Sequence, residues 1–270
     1  MNILITGASG FIGSTLLKKL SNDKRYKILT LNRKFFFNKS CKNIQNLKSD
    51  LNLSSPSLSL IKAFSPEIII HLAWQNIPDY SKKTSQINLS KQKVFFEKIS
   101  KIDSIKKIIV TGSCSEHKNK YHLTSKFFVD SKKKIKNLIK NQNKNLVWLK
   151  LFFVFGKNQR KNSLIPFLIS SIKNNKIIKL KNPNMINDFI HVNDVSKFIL
   201  SHLNKTKENL EYDVGSGYGL KVLDLMNFYK KKNLVKQNNI KKYKKCFKAN
   251  IPKNKLKIKI ETDKNLRLMM

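Results

Sequence analysis

The first residues with a chemically suggestive spacing are the three glycines Gly7, Gly10 and Gly13, which follow an apolar segment at 1–6 and precede a run with helical spacing. A pyrophosphate can approach a backbone closely only where side chains are absent. One glycine then makes a tight turn, the second admits the phosphates and the third lets the helix pack on the strand. Unpaired amides at the start of the helix face the anion. The spacing therefore predicts a dinucleotide-binding turn.

Strand-like and helix-like patterns alternate through the first 156 residues. Short apolar runs predict further strands at 27–31, 44–47, 67–71, 107–111 and 145–153. Apolar residues three or four apart, with lysines between them, predict helices at 55–64, 84–102 and 124–140. Strands that alternate with helices form a parallel sheet covered on both faces. The predicted fold class is therefore α/β, a doubly wound, Rossmann-type parallel sheet.

Beyond Gly156 the alternation becomes irregular, which predicts a smaller second lobe. Helices are expected at 164–172 and 195–203, with short strands near Ile177 and at 256–260. We therefore expect a dinucleotide-binding domain at 1–156 and a smaller, C-terminal substrate-binding lobe at 157–270. The second lobe ends in a lysine-rich part, and some crossing of the chain between the lobes is expected.

The net charge of +39 is the most unusual feature of the composition. Lysine and asparagine are abundant along the whole chain, and no zinc-finger, helix-turn-helix or RNA-binding signature accompanies the charge, so no specific nucleic-acid partner is predicted. The cysteines Cys41, Cys114 and Cys246 lie far apart, so neither a disulfide nor a metal site is expected. A signal peptide and a membrane span are not indicated, and a cytoplasmic location follows.

Several further short motifs occur in order along the chain. They are Thr6 to Gly13, Ser49-Asp50-Leu51, His71-Leu72-Ala73, Asn88, Thr111 to Cys114, Phe155-Gly156, and Asp188 to Val192 with Asp194. In this order and spacing the chain resembles the extended short-chain dehydrogenase/reductase family, in its NAD-dependent epimerase/dehydratase branch, which modifies nucleotide sugars. The resemblance covers nearly the whole length. It implies an enzyme that moves hydride between a nicotinamide and a sugar ring carbon, most often C4.

The resemblance also implies which residues contact the cofactor. Asp50 would accept a hydrogen bond from the adenine amino group, although the same residue also suits a turn cap. Asn88 would brace the active-site helix. The expected cofactor contacts are Gly7, Ser9, Gly10, Phe11, Ile12, Gly13, Asn32, Arg33, Asp50, Leu51, Leu72, Ala73, Trp74 and Lys126.

The end of the second predicted strand bears on the choice of cofactor. An acidic residue there holds the ribose hydroxyls of NAD, whereas a cation accommodates the 2′-phosphate of NADP. The sequence has Asn32, Arg33 and Lys34 and no acid. A guanidinium is always charged and matches a phosphate with two hydrogen bonds. We therefore expect NADP, with Arg33 as the contact and NAD as the alternative.

The resemblance implies a catalytic serine, a tyrosine, and a lysine four residues after the tyrosine. Ser113 and Lys126 match, but His122 stands at the tyrosine's place and Tyr121 lies one residue earlier. Positions four apart on a helix differ by about 40° around its axis and positions five apart by about 140°. Tyr121 can therefore act only if the helix starts after His122, and otherwise His122 faces the sugar. The alternative to catalysis is a cofactor-binding sensor or assembly subunit.

The segments that would hold the substrate depart from the family pattern. The loop between Ser113 and Tyr121 is short, and Asn187 stands where the family often has an arginine, for which Arg160 could compensate. The expected substrate contacts are Ser113, Phe153, Asn158, Gln159 and Arg160. A homodimer formed through the two central helices, 84–102 and 124–140, is also implied by the resemblance.

Overall fold

The computed structural model describes residues 1–34, 41–117, 126–205, 209–232, 241–244, 248, 261, 264–266 and 269. The strands are β1 (Asn2–Thr6), β2 (Lys27–Asn32), β3 (Ile44–Lys48), β4 (Ile68–His71), β5 (Lys107–Ser113), β6 (Asn145–Leu151), β7 (Phe153–Phe155), β8 (Ile186–Asn187), β9 (Phe189–His191), β10 (Leu210–Val214) and β11 (Leu220–Lys221). The helices are α1 (Phe11–Ser21), α2 (Ser55–Phe64), α3 (Lys82–Ile99), α4 (Lys126–Lys140), α5 (Leu164–Lys173), α6 (Val192–Leu200) and α7 (Val222–Lys232). A 3-10 turn, Cys114–Glu116, directly follows β5.

Seven strands form the main sheet, in the order β10, β6, β5, β4, β1, β2, β3. The pairs β3–β2, β2–β1, β1–β4 and β4–β5 are parallel. The chain starts at β1, moves outward to β3 and then returns past β1 to β4. At such a reversal the loops on either side diverge and leave a crevice at the carboxyl ends of the strands, where doubly wound sheets bind ligands. The predicted fold class is confirmed.

The apolar runs of the sequence form the buried centre of this sheet. Residues 3–5 of β1 are fully buried, and residues 68–70 of β4 are at most 4% exposed. A parallel sheet with helices on both faces requires such continuous apolar strands. Helix α3 begins at Lys82, two residues before the predicted start, because Ser81 Oγ accepts a hydrogen bond from Thr84 N–H at 3.3 Å. Within the described ranges, no helix has the length and apolar character needed to cross a membrane.

The chain divides into two compact units, Met1–Lys150 with Ile199–Tyr212, and Leu151–Phe198 with Asp213–Met270. The second unit contains two small sheets, β7 paired with parallel β9 and β8 paired with antiparallel β11. Its core includes Phe155, Leu168, Phe189, Leu225 and Tyr229. Each unit takes residues from both sides of the boundary predicted after Gly156. The assignment of cofactor and substrate roles to two domains stays a prediction.

Three further predicted elements differ from the structure. The strand near Ile177 is wrong, since residues 174–185 contain no strand and Ile177 is 90% exposed. The strand predicted at 145–153 is two strands, because the N–H of Phe152 turns to the carbonyl of Val214 at 3.0 Å. Helix α6 begins at Val192 and not at Val195. The strand predicted at 256–260 lies outside the described residues.

Candidate active site

The glycine turn between β1 and α1 has no room for side chains. Gly7 has a φ of 73°, and a Cβ on it would lie 2.8 Å from the backbone nitrogen of Ala73. The N–H of Gly10 donates to the carbonyl of Gly7 at 3.0 Å and closes the turn. A Cβ on Gly13 would overlap that same carbonyl. Gly7 is therefore required for the turn and its approach to the loop after β4, and Gly13 for the packing of α1.

The start of α1 is open to an anionic ligand. Gly10 is the N-cap residue, and no side chain caps the helix. Ser9 and Gly10 are exposed, and Phe11 and Ile12 are partly exposed. The amides in the first turn of a helix lack intrahelical acceptors and carry its positive end, so phosphate oxygens suit them. The turn therefore fits the pyrophosphate of a dinucleotide.

Asn32, at the end of β2, carries a donor that lacks a partner. Its side chain is buried, and Oδ1 accepts a hydrogen bond from Ser9 N–H at 3.3 Å, which ties β2 to the glycine turn. Nδ2 has no hydrogen-bond partner among the residues that the structure describes. Buried donors are nearly always paired, so this amide fits a ligand oxygen at the ribose end of the site. Arg33 and Lys34 follow it and are exposed.

Asp50 is held in a turn after β3. Its Oδ1 accepts a hydrogen bond from Asn52 N–H at 2.9 Å, and its Oδ2 lies 3.2 Å from Lys91 Nζ. The turn cap that the sequence offered as an alternative is therefore present, and Leu51 beside it is buried. The carboxylate is about one-third exposed, so it retains room for a further donor such as an adenine amino group.

Asn88 on α3 fastens the loop that follows β4, at 72–75. Its side chain is 3% exposed. Oδ1 accepts a hydrogen bond from Gln75 N–H at 2.8 Å, and Nδ2 donates to the carbonyls of Gln75 and Thr84 at 3.3 and 2.9 Å. These bonds hold the loop after β4, and the implied bracing of the active-site helix stays a prediction. Since the loop approaches Gly7, Asn88 helps to shape the backbone beside the glycine turn.

His71, the last residue of β4, is a neutral structural residue. It is 1% exposed, and its Nδ1 and Nε2 lie 2.9 Å from Thr6 Oγ1 and 3.1 Å from Gln92 Oε1. Burial, together with the nearby charge of Lys132, lowers the pKa of His71 to about 3. With this pKa the imidazole is neutral at physiological pH, so it does not act as the acid in proton transfer.

Ser113 ends β5 and is held by a buried carboxylate. Its N–H donates to Glu116 Oε1 at 2.7 Å, and its Oγ accepts from Ser115 N–H at 3.2 Å, which makes a capping box. Glu116 is 6% exposed and also accepts from Trp148 Nε1 at 2.9 Å. Since the hydroxyl of Ser113 accepts through its oxygen, its proton remains available to a substrate oxygen. Sequence reasoning missed Glu116, whose spacing from Ser113 is the signal of a capping box.

In the second unit, a groove of about 450 Å³ is lined by two of the predicted substrate residues, Asn158 and Gln159. Gln159 is anchored, because its Nε2 donates to the carbonyl of Val154 at 3.0 Å. Lys157 and Lys173 also line the groove. Two cations beside amide groups suit a phosphorylated ligand.

The other two predicted substrate residues of this unit, Phe153 and Arg160, are exposed and lie outside the groove lining. Phe153 packs its ring 5.8 Å from that of Phe189.

The comparison with known families matches residues 3–215 to the NAD dependent epimerase/dehydratase family. The chain belongs to this family. The chain is also 23% identical to GDP-6-deoxy-D-talose 4-dehydrogenase of Aggregatibacter actinomycetemcomitans, over 83% of this chain and 78% of that protein. It is 27% identical to CDP-abequose synthase of Salmonella typhimurium, with the same coverage. Among solved structures, UDP-glucose 4-epimerase of Thermotoga maritima has the same fold, with a TM-score of 0.81, 18% identity, and coverage of 100% of this chain and 97% of that one.

Membership in the epimerase/dehydratase family confirms the predicted resemblance and the enzyme class. Of the predicted catalytic residues, Ser113 lies at the end of β5, and Lys126 is the first residue of α4 and is exposed. Tyr121 and His122 lie outside the described residues. Their roles, and the choice between them, stay predictions.

A buried lysine of this family member escaped sequence reasoning. Lys132 on α4 is 4% exposed, and its Nζ donates to the carbonyl of Thr111 at 2.7 Å. The signal was present, because Lys132 lies four residues after Phe128 and three before Ile135, on the inner face of the helix. Lysine is seldom fully buried, so a lysine at such a position requires an explanation.

Proposed function

We propose that this chain is a cytoplasmic NAD(P)-dependent enzyme that acts on a nucleotide-activated sugar, with C4 of the sugar ring as the favoured position. Net ketoreduction or epimerisation is favoured over dehydration. Family membership supports the enzyme class, and the activities of two similar proteins, a 4-dehydrogenase and a 4-epimerase, support the ring position.

The observation that carries the proposal is the closely packed glycine turn at the head of α1. Together, the turn and the unpartnered Asn32 amide fit a dinucleotide, whose nicotinamide supplies hydride transfer when bound. The chain's own contribution is to hold the phosphates at the α1 amides. It also places Ser113 near the crevice that forms where the strand order reverses, between β1 and β4.

For the cofactor we propose a preference for NADP. The side chains at the end of β2 offer an amide donor at Asn32 and an exposed guanidinium at Arg33, and both groups bind phosphate oxygens. An Arg33→Asp variant should lose at least about tenfold in affinity for NADPH and little for NADH, because one charge-assisted contact contributes about 1.5–3 kcal/mol. Lys34→Asp is the matched control and should have the smaller effect. Equal losses for both cofactors would contradict the preference.

Proton transfer is assigned to Ser113 and to Tyr121 or His122, with Lys126 as the cation of the same sequence motif. The Ser113 hydroxyl accepts from Ser115 N–H, so its proton can be donated to a sugar oxygen. A tyrosine or imidazole that shares this oxygen supplies or removes the proton during reduction or oxidation.

The nucleotide end of the substrate is proposed to lie in the groove of the second unit. Lys157 and Lys173 provide the charge for a diphosphate, and Asn158 and Gln159 provide hydrogen-bonding groups. Exchanging Lys173 for Ala should raise the KM for the nucleotide sugar while the affinity for NADPH stays the same. Lys176→Ala, at an exposed position close by, is the control.

A homodimer through α3 and α4 is proposed as well. The two helices pack together in the first unit, and they expose Ile87 at 44% and Phe127 at 42%. Exposed apolar side chains on adjoining helices favour a partner surface. Ile87→Lys should shift the mass measured by light scattering from dimer to monomer, and a wild-type monomer would refute the dimer.

The main experiment follows nicotinamide absorbance while the protein is incubated with NADPH and a panel of 4-keto-6-deoxy nucleotide sugars, with epimerisation assays in parallel. Turnover that Lys126→Ala abolishes and Lys134→Ala leaves intact supports the enzyme, because Lys134 is exposed on the same helix. Tight NADPH binding without turnover on any sugar supports the alternative of an inactive cofactor-binding subunit.

A further inference from the structure

Lys132 joins a strand and a loop that border the proposed site. Its Nζ donates to the carbonyl of Thr111, two residues before Ser113, and lies 4.4 Å from the ring centroid of Trp74. Trp74 belongs to the loop after β4, whose Ala73 nitrogen lies beside Gly7. One ammonium group thus contacts both the strand that ends at Ser113 and the loop that approaches the glycine turn.

Besides the Thr111 carbonyl on β5, three groups from other parts of the chain face this ammonium. His71 on β4 is neutral, Glu116 in the turn after β5 contributes an opposite charge, and Trp74 offers its π-face. Lys136, one turn further along α4, lies 3.7 Å from Glu116 and is the other nearby cation. Burial lowers the pKa of Lys132 to about 8, while the negative charge of Glu116 opposes that decrease.

The side chain of Trp74 also carries a buried hydrogen-bond donor. Its indole Nε1 is buried and has no hydrogen-bond partner within the described ranges. Phe128 packs edge-on against the same ring, with the centroids 4.9 Å apart. The indole is therefore held by the Lys132 cation over its ring and by the nearly perpendicular ring of Phe128.

We propose that Lys132 is a positioning residue of this site, a buried cation that fixes the Trp74 loop and the Ser113 end of β5, so that turnover depends on its charge. The inference rests on the proposed function for its kinetic part only. A helix that merely needed packing here would carry an apolar residue, as it does at the buried positions Phe128 and Ile135, one turn away on either side. Burying a charge at this position costs free energy, and the charged group contacts two partners that adjoin the site, the Thr111 carbonyl and the Trp74 ring.

The first test uses the two tryptophans of the chain, Trp74 and Trp148, as reporters. Tryptophan emission should show a transition near pH 8 as Lys132 loses its proton beside the Trp74 ring. The transition should persist in Lys134→Met, whose lysine is exposed on the same helix. It should vanish in Lys132→Met. A Lys132→Met protein that keeps the transition overturns the inference.

The second test measures turnover of the nucleotide sugar that the panel identifies. Lys132→Met should lower kcat by roughly 10- to 100-fold, since a small misplacement of reacting groups costs about this much, while KM for NADPH changes little. In the wild type, kcat should decrease above the emission transition. Wild-type kcat and pH profile in a folded Lys132→Met protein would overturn the inference. If the wild type turns over no sugar, the proposed function fails, and the emission titration alone decides on Lys132.

Discussion

Replacing Lys132 with Met should make the protein more stable at neutral pH. The side chain is 4% exposed, and burial lowers its pKa from 10.5 to about 8. Each tenfold decrease in proton affinity is worth about 1.4 kcal/mol, so folding with this lysine charged costs about 3 kcal/mol near neutral pH. Methionine has a similar length and no charge, but the Thr111 carbonyl loses one donor, worth about 1 kcal/mol. The net expectation is a gain of about 2 kcal/mol.

The pH dependence isolates the ionisation. Because the folded pKa lies below the unfolded one, the unfolded state binds more protons between them, and wild-type stability must increase with pH there. The advantage of Lys132→Met should therefore shrink by about 2 kcal/mol from about pH 7 to about pH 10. Urea unfolding followed by tryptophan emission suits the test, since both tryptophans lie in the unit that contains Lys132. Parallel stability curves for the two proteins would refute the reasoning.

Three further outcomes are expected. Gly13→Ala should destabilise the protein by about 2 kcal/mol or more and abolish NADPH binding. Gly10→Ala is the control and should cost less stability, because its Cβ would lie 3.1 Å from the nearest carbonyl oxygen. Similar melting temperatures for the two variants would contradict the packing argument. Asn88→Ala should lower the free energy of unfolding by about 1–3 kcal/mol, because the Gln75 backbone loses its side-chain partner. The variant should also bind NADPH more weakly in calorimetry, and an unchanged affinity would contradict this prediction. Glu116→Gln should lower kcat more than it raises KM, because the charged acceptor of the Ser113 end is lost; a pure KM effect would argue against this role.

Local patterns were sufficient for the parts of the molecule in which one physical rule dominates. The glycine turn could be read from the sequence, because only residues without side chains allow a backbone approach such as that of Gly7 to Ala73. The doubly wound sheet followed from continuous apolar runs, because strands buried on both faces contain few polar residues. The strand predicted near Ile177 failed, because a short apolar pattern does not reveal whether a neighbouring strand is available to pair with it.

Contacts between distant residues were decided by the tertiary structure. Asn88 looked like one asparagine among many, and only the fold places it against Gln75 to hold a loop. Lys132 looked like one of the chain's many lysines, since a one-dimensional pattern does not show that its ammonium lies between the Thr111 carbonyl and the Trp74 ring. Sequence alone thus determined the backbone shape of the cofactor turn and the class of fold, which depend on steric exclusion and apolar periodicity. The tertiary structure determined which polar groups are buried and with what partners, because burial and electrostatic energy depend on neighbours that are far away along the chain.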